Sequence, residues 1–214
     1  MDTRDEFNKD MERIFKDIDE HILKNNKPSC YINNLYEEGI LGQYPFNMLG
    51  DLNKIDQSPK YHPEGSVWNH IMMVLDNGAK ERDNSENKRV FMWACLLHDM
   101  GKKTTTKIRR GRITSYDHDK EGEKLSIEFL KYFTQDKEFI NDVSKLVRWH
   151  MQPLFVNKNL PFSDIENMIK EVSFKEVALL SLCDRLGRGG LSEDKKKEEI
   201  KSIELFKRKC SQYM

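Results

Sequence analysis

The chain has 214 residues, and its 36 Lys+Arg balance its 36 Asp+Glu, so the formal charge is zero and a broad basic surface for duplex DNA is not expected. That length suits about one domain with one sizeable core. The longest apolar run, Val90 to Leu97, is far short of the roughly 18 residues of a membrane span, and Met1 to Phe7 lacks the build of a signal peptide.

No membrane partner and a cytoplasmic location are therefore expected. The four cysteines (Cys30, Cys95, Cys183, Cys210) show no paired spacing for zinc, and Cys95 and Cys183 lie in apolar contexts suited to free buried thiols.

Phe7, Met11, Ile14, Phe15, Ile18 and Ile22 keep a helical spacing, which predicts an amphipathic helix from Asp5 to about Asn25. Its Asp17-Ile-Asp19 superficially resembles a polymerase-type carboxylate pair, but the flanking pattern is helical and a solvated face is expected. His21 is assigned no role. Tyr31 to Leu41 forms a second short helix ended by Gly39, and Gln43 to Asp56 reads as turn-rich. Pro63 holds His62 extended, Glu64-Gly65 makes a turn, and Ser66 is a good N-cap. Val67, Ile71, Val74, Leu75 and Gly78 then mark the packed side of a helix, and His70 falls on that same side.

After a charged connection from Glu81 to Lys88, the apolar run Val90 to Leu97 predicts a helix buried on every side. It runs straight into His98-Asp99, with Gly101 as a left-handed stop. A carboxylate at the edge of so apolar a segment is costly unless paired or bound to a metal. Lys102 to Tyr116 is basic, polar and β-branched, which predicts a loop or small hairpin turning at Gly111. Asp117-His118-Asp119 precedes a helix carrying Leu125, Phe129, Leu130 and Phe133. Lys137 to His150 forms the next, with Phe139, Val143, Leu146, Val147 and His150 on one stripe. Met151 to Pro161 reads as a loop, Ser163 caps a short helix, and Phe174 to Leu186 follows with Val177, Leu180, Ser181 and Asp184 on one side. Lys195 to Arg208 is a highly charged, peripheral helix. The fold class is all-α: a multi-helix domain with a short β excursion near 107–115.

Three helices thus carry a metal-ligand residue type on the face they bury (His70, His150, Asp184), and a fourth ends in His98-Asp99. Singly, His70 and His150 fit core histidines satisfied by a carbonyl equally well, and Asp184 fits an arginine partner. Together they would need an independent partner each. One shared divalent ion satisfies them all, since imidazole and carboxylate suit Fe, Mn, Co, Ni or Zn.

His70, His98-Asp99 and Asp184 match the signature of the HD superfamily of metal-dependent phosphohydrolases. The segments His62-Pro-Glu-Gly-Ser-Val-Trp-Asn-His70, Leu96-Leu-His-Asp-Met-Gly-Lys102, Leu146-Val-Arg-Trp-His-Met-Gln-Pro153 and Asp184-Arg-Leu-Gly-Arg-Gly189 resemble the C-terminal HD domain of bacterial CCA-adding tRNA nucleotidyltransferases. The resemblance implies an HD-domain fold over the single domain 1–214, with an N-terminal helical extension (1–47), an HD core (48–190) and a peripheral C-terminal helix (191–214). Two departures stand out. The nucleotide-adding head of that family, with its Gly-Ser and strand-borne aspartates, is missing, so CCA addition is not expected. Asp117-His118-Asp119 replaces the family's usual Gly-His-Glu.

Carried over residue by residue, the resemblance makes His70, His98, Asp99 and Asp184 the shell of a divalent ion (Mn, Ni, Co, Fe, Mg or Zn). His118 and His150 become ligands of a second ion, or phosphate contacts and general acids in a one-ion version. Asp99 would orient the attacking water and Lys102 would place a charge on phosphate, with Arg185 and Arg188 as weaker rim candidates. The implied activity is phosphomonoesterase, 2′-nucleotidase or 2′,3′-cyclic phosphodiesterase action on nucleotides or RNA ends. Two alternatives remain: a non-catalytic, metal-containing nucleotide- or RNA-binding module, and an HD hydrolase of dNTPs or cyclic dinucleotides. The basic strip Lys102, Lys103, Lys107, Arg109, Arg110 and Arg112 fits a guide for a polyanion or a solvated loop equally well.

Overall fold

In the computed structural model, which describes the backbone of residues 3–214 and side chains from Lys9 onward, every residue from Val90 to Leu97 is buried. Phe7 of the first predicted stripe lies outside the described side chains. Twenty-two residues, Thr3–Lys24, form α1, and Pro28–Glu37 forms α2, closed by Gly39 in the left-handed region. The turn-rich segment contains one short helix, α3 (Asn47–Gly50), and a 3-10 turn over Asp51–Lys54. Val67–Glu81 is α4, and the Ser66 hydroxyl accepts from the Asn69 amide as its N-cap. Lys88–Leu97 is α5, the buried helix, capped by Asn87.

The predicted left-handed stop at Gly101 is not there. Gly101 is right-handed (φ −63°) and opens α6 (Lys102–Thr105). Its lack of a side chain serves a close approach instead: a Cβ would meet the His118 carbonyl oxygen at 2.0 Å and the Gly122 amide at 2.6 Å. The excursion that follows is a hairpin, β1 (Lys107–Arg109) antiparallel to β2 (Arg112–Thr114), with Ile108 opposite Ile113. Arg110 and Gly111 both have positive φ, as a two-residue turn of this kind requires.

The helices α7 (His118–Phe133) and α8 (Lys137–Trp149) pack along each other. The predicted loop after His150 contains a further helix, α9 (Gln152–Asn157), with Pro153 in its first turn, where a missing amide costs nothing. Asp164, not Ser163, caps α10 (Ile165–Glu171). Phe174–Leu186 is α11 and Glu193–Cys210 is α12. Helix α5 is packed by α4, α8, α1 and α11; of these α4, α8 and α11 carry candidate ligands, and α7, which carries His118, packs on α8. Phe15 of α1 stacks on Trp93 of α5, with ring centroids 4.6 Å apart. Asp19 is not a solvated residue, because its Oδ1 accepts from the Trp93 indole (2.6 Å) and Arg89 Nε (2.8 Å). Charged as it is, α12 buries Ile203, Phe206 and Cys210 and ties Glu199 to Arg185 of α11. All four cysteines are free, and only Cys30 is exposed.

Candidate metal centre

His98 and His150 occupy equivalent local positions, as the C-cap residues of α5 and α8. The last carbonyls of a helix have no amide partner within it. Each histidine takes one of them: His98 Nδ1 donates to Cys95 O (3.0 Å) and His150 Nδ1 donates to Val147 O (2.6 Å). His118, at the start of α7, uses the same reach, donating Nδ1 to Ser115 O at 2.7 Å. A carbonyl only accepts, so all three rings carry their proton on Nδ1 and present a bare lone pair at Nε2. Asp117 before His118 sits in the left-handed region (φ 59°), a position glycine takes freely and aspartate tolerates. The departure from Gly-His-Glu therefore leaves His118 where the site needs it. Asp119 keeps the acidic place, pairing with Arg148 of α8 at 2.6 Å and locking the His118 and His150 helices together.

Asp99 is the hub of the cluster. Its Oδ2 lies 3.4 Å from His98 Nε2 and 3.7 Å from His70 Nε2, and its Oδ1 lies 3.5 Å from His118 Nε2 and 3.9 Å from His150 Nε2. Lys102 Nζ holds Oδ2 at 2.7 Å and also donates to Gln57 Oε1 at 2.7 Å. Asp184 Oδ1 joins the first set 2.9 Å from His70 Nε2. All the site residues predicted from the sequence (His70, His98, Asp99, Lys102, His118, His150 and Asp184) are thereby brought to one buried cluster. Arg185 is committed to Glu199 and carries no charge to the site. Arg188 stands near enough to lower the Asp184 pKa, and its Nε is buried without a partner.

Two residues of the cluster, Glu64 and His62, escape sequence reasoning. Glu64 reads as half of a turn, yet its Oε1 accepts from His70 Nδ1 (2.9 Å) and His62 Nδ1 (2.8 Å), and its Oε2 accepts from the Gly189 amide (3.0 Å). It thus joins the loop before α4 to the loop after α11 and fixes the His70 ring. The one available signal was the spacing His62-x-Glu64 ahead of a buried His70, which gives a carboxylate two imidazoles to serve.

Electrostatics follow from these contacts. Burial opposes charge on His70, but its bonds to Asp184 and Glu64 outweigh that and raise its pKa to about 8. Burial lowers His150 to about 4, helped by the neighbouring His118 and His98, and burial lowers His118 as well. Asp99 and Asp184 are held well below the usual carboxylate range in spite of burial, by Lys102 and His98 for the one and by His70 and Arg188 for the other.

This arrangement fits a divalent cation on three observations. His98 Nε2 is a buried lone pair with no hydrogen-bond donor. His118 Nε2 and His150 Nε2 face each other 3.2 Å apart, both as acceptors, and their depressed pKa values keep a proton from filling the gap at neutral pH. Ligands held roughly 2.1 Å from one ion lie roughly 3.0–3.4 Å from each other, close to the separations around Asp99. The donors fall into two groups, His70, His98 and Asp99, and Asp99, His118 and His150, with one Asp99 oxygen facing each.

Comparison with known proteins agrees with the geometry. The family model described as HD domain matches residues 67–189, more than half of the chain. The Multifunctional CCA protein of Mannheimia succiniciproducens is 28% identical over 192 residues, covering 86% of this chain and 44% of that protein. The Multifunctional CCA protein of Pasteurella multocida is 26% identical over 190 residues, covering 85% and 44%. The chain spans less than half the length of these relatives.

Proposed function

The chain belongs to the HD domain family, and we propose that it is a phosphohydrolase of nucleotide or RNA-end phosphates, of the phosphomonoesterase, 2′-nucleotidase or 2′,3′-cyclic phosphodiesterase type. The observation that carries the reading is the set of Nε2 lone pairs, each fixed by a backbone carbonyl, gathered round a single ionised carboxylate.

A divalent cation bound among these donors supplies a Lewis acid that acidifies water and draws charge from a phosphoryl oxygen. The chain's own residues do the rest. Asp99 stays ionised because Lys102 neutralises it, and it accepts a hydrogen bond that orients a water placed against it. His98, His118 and His150, each held by a backbone carbonyl at Nδ1, turn Nε2 toward Asp99. Glu64 keeps the His70 ring from turning. Arg188, with its unsatisfied Nε, binds a phosphate oxygen at the rim.

The cluster is not sealed from solvent: His118 and Asp184 are each 11% exposed and Lys102 is 10% exposed. The test is hydrolysis of a generic phosphomonoester, a 2′-nucleotide and a 2′,3′-cyclic nucleotide with Mn, Co or Ni added. Turnover that disappears in His98→Ala, with helical circular dichroism kept, is the expected result. Metal retention without turnover across that panel would assign the chain to binding instead.

A further inference from the structure

Deepening the proposed function and resting on it, we propose that the β1–β2 hairpin is a landing strip for the backbone of a single-stranded oligonucleotide whose end enters the Asp99 cluster. Both ends of the hairpin lead to residues that contact the site. Lys102, on the helix leading into it, holds Asp99, and Ser115, just after β2, fixes His118 through its carbonyl. A Thr106–Ser115 hydroxyl bond of 2.8 Å closes the base of the hairpin. The hairpin is therefore anchored beside the site, and its three-residue strands are roughly 10 Å long.

Several cations on the helices are paired, as in Lys120 with Asp117, Lys124 with Glu121 and Lys207 with Glu204; those of the hairpin are clustered and unpaired. Among the described residues, Lys107, Arg109, Arg110 and Arg112 are exposed, and none has an ion-pair partner. Alternation and register put Lys107, Arg109 and Arg112 on one face, opposite the face of Ile108 and Ile113. Arg109 is steadied there by Thr114 Oγ1 (2.6 Å) and lies over the Tyr116 ring, 4.9 Å from its centroid.

Tyr116 is itself 64% exposed, so an aromatic plane stands beside the cationic face, between it and His118. Regularly placed cations with an adjacent open ring suit a phosphodiester chain and its bases, because stacking tolerates any base. An acidic peptide would use the charges but not the ring, and would bring no phosphate to the site at the hairpin's feet.

The experiment measures fluorescence anisotropy of a labelled twelve-nucleotide single-stranded RNA bearing a 3′-phosphate, with the full chain and with Arg109→Gln/Arg110→Gln/Arg112→Gln. The variant is expected to lose at least tenfold in affinity at low salt, and its log–log salt dependence should be shallower by about 2, three contacts at ~0.7 each. In parallel, the ratio of kcat/KM for an oligonucleotide to that for the matching mononucleotide falls at least tenfold. Binding by the variant within twofold of the parent overturns the proposal. So does a polyglutamate peptide of equal charge, or an anionic phospholipid vesicle, that binds the parent as tightly as the RNA. If neither protein hydrolyses either substrate, the phosphohydrolase reading fails while the anisotropy result still decides the hairpin's role.

Discussion

Glu64 shows why residue types alone leave a site half read. The sequence displays which side chains suit a cation, but not what the other ring nitrogen of each histidine meets. That second contact decides tautomer, charge and orientation. Glu64→Gln weakens the carboxylate behind His70 and loosens the loops joined at Gly189, so divalent-metal affinity falls roughly 10–100-fold, as metal titration would register. An unchanged affinity would reduce Glu64 to a structural bond.

The histidines also set a pH dependence on the metal-free protein. An unfolded histidine titrates near ~6.5. His150 sits at about 4 when folded, so its contribution is present above ~6.5 and is lost as pH falls toward about 4. His70 at about 8 works in the opposite sense, contributing below ~6.5 and losing its effect as pH rises through about 8. Urea midpoints of the chelated protein should therefore decline on both sides of this window. His150→Gln flattens the acid limb and His70→Gln the alkaline one.

Among the elements, long apolar periodicity was the legible part. Helices α4, α5, α8 and α11 stand where their stripes predict, and with them His70, the His98-Asp99 doublet, His150 and Asp184. Short helices were not legible. In α9, Pro153 and the polar run Asn157 to Asn159 after it look like loop, because a proline in a first turn and a proline in a coil leave the same trace in sequence.

Gly101 was read for its backbone freedom, whereas what matters there is the approach of α7, a contact some 17 to 21 residues away in the chain. Since the added Cβ would strike backbone, Gly101→Ala must push α7 away. We expect a loss of ~1–3 kcal/mol in urea unfolding together with His118 displaced from the cluster. Activity lost with stability unchanged would contradict that coupling.

At the scale of the molecule, the core gathers helices from both ends of the chain around α5. The pairing of Phe15 with Trp93 and the burial of Phe206 could not be assigned from sequence, since an amphipathic stripe says that it packs but not against what. Phe206→Ala should cost ~3–5 kcal/mol in chemical unfolding and leave the site's metal affinity intact, because α12 supports α11 from outside. No helix among the described residues is long and apolar enough to cross a membrane. The zero net charge is an average over the chain: Lys107, Arg109, Arg110 and Arg112 lie together on the hairpin, exposed and without an ion-pair partner.

The central claim, that Asp99 joins two groups of imidazole donors around divalent cations, is tested most directly by elemental analysis of protein reconstituted with Mn or Co and freed of excess metal. Asp99→Asn is the better comparison, since it leaves Lys102 a hydrogen-bond acceptor. The unaltered chain should hold up to two ions, and Asp99→Asn should hold none with its helical content unchanged. A full complement of metal retained by Asp99→Asn would contradict the account.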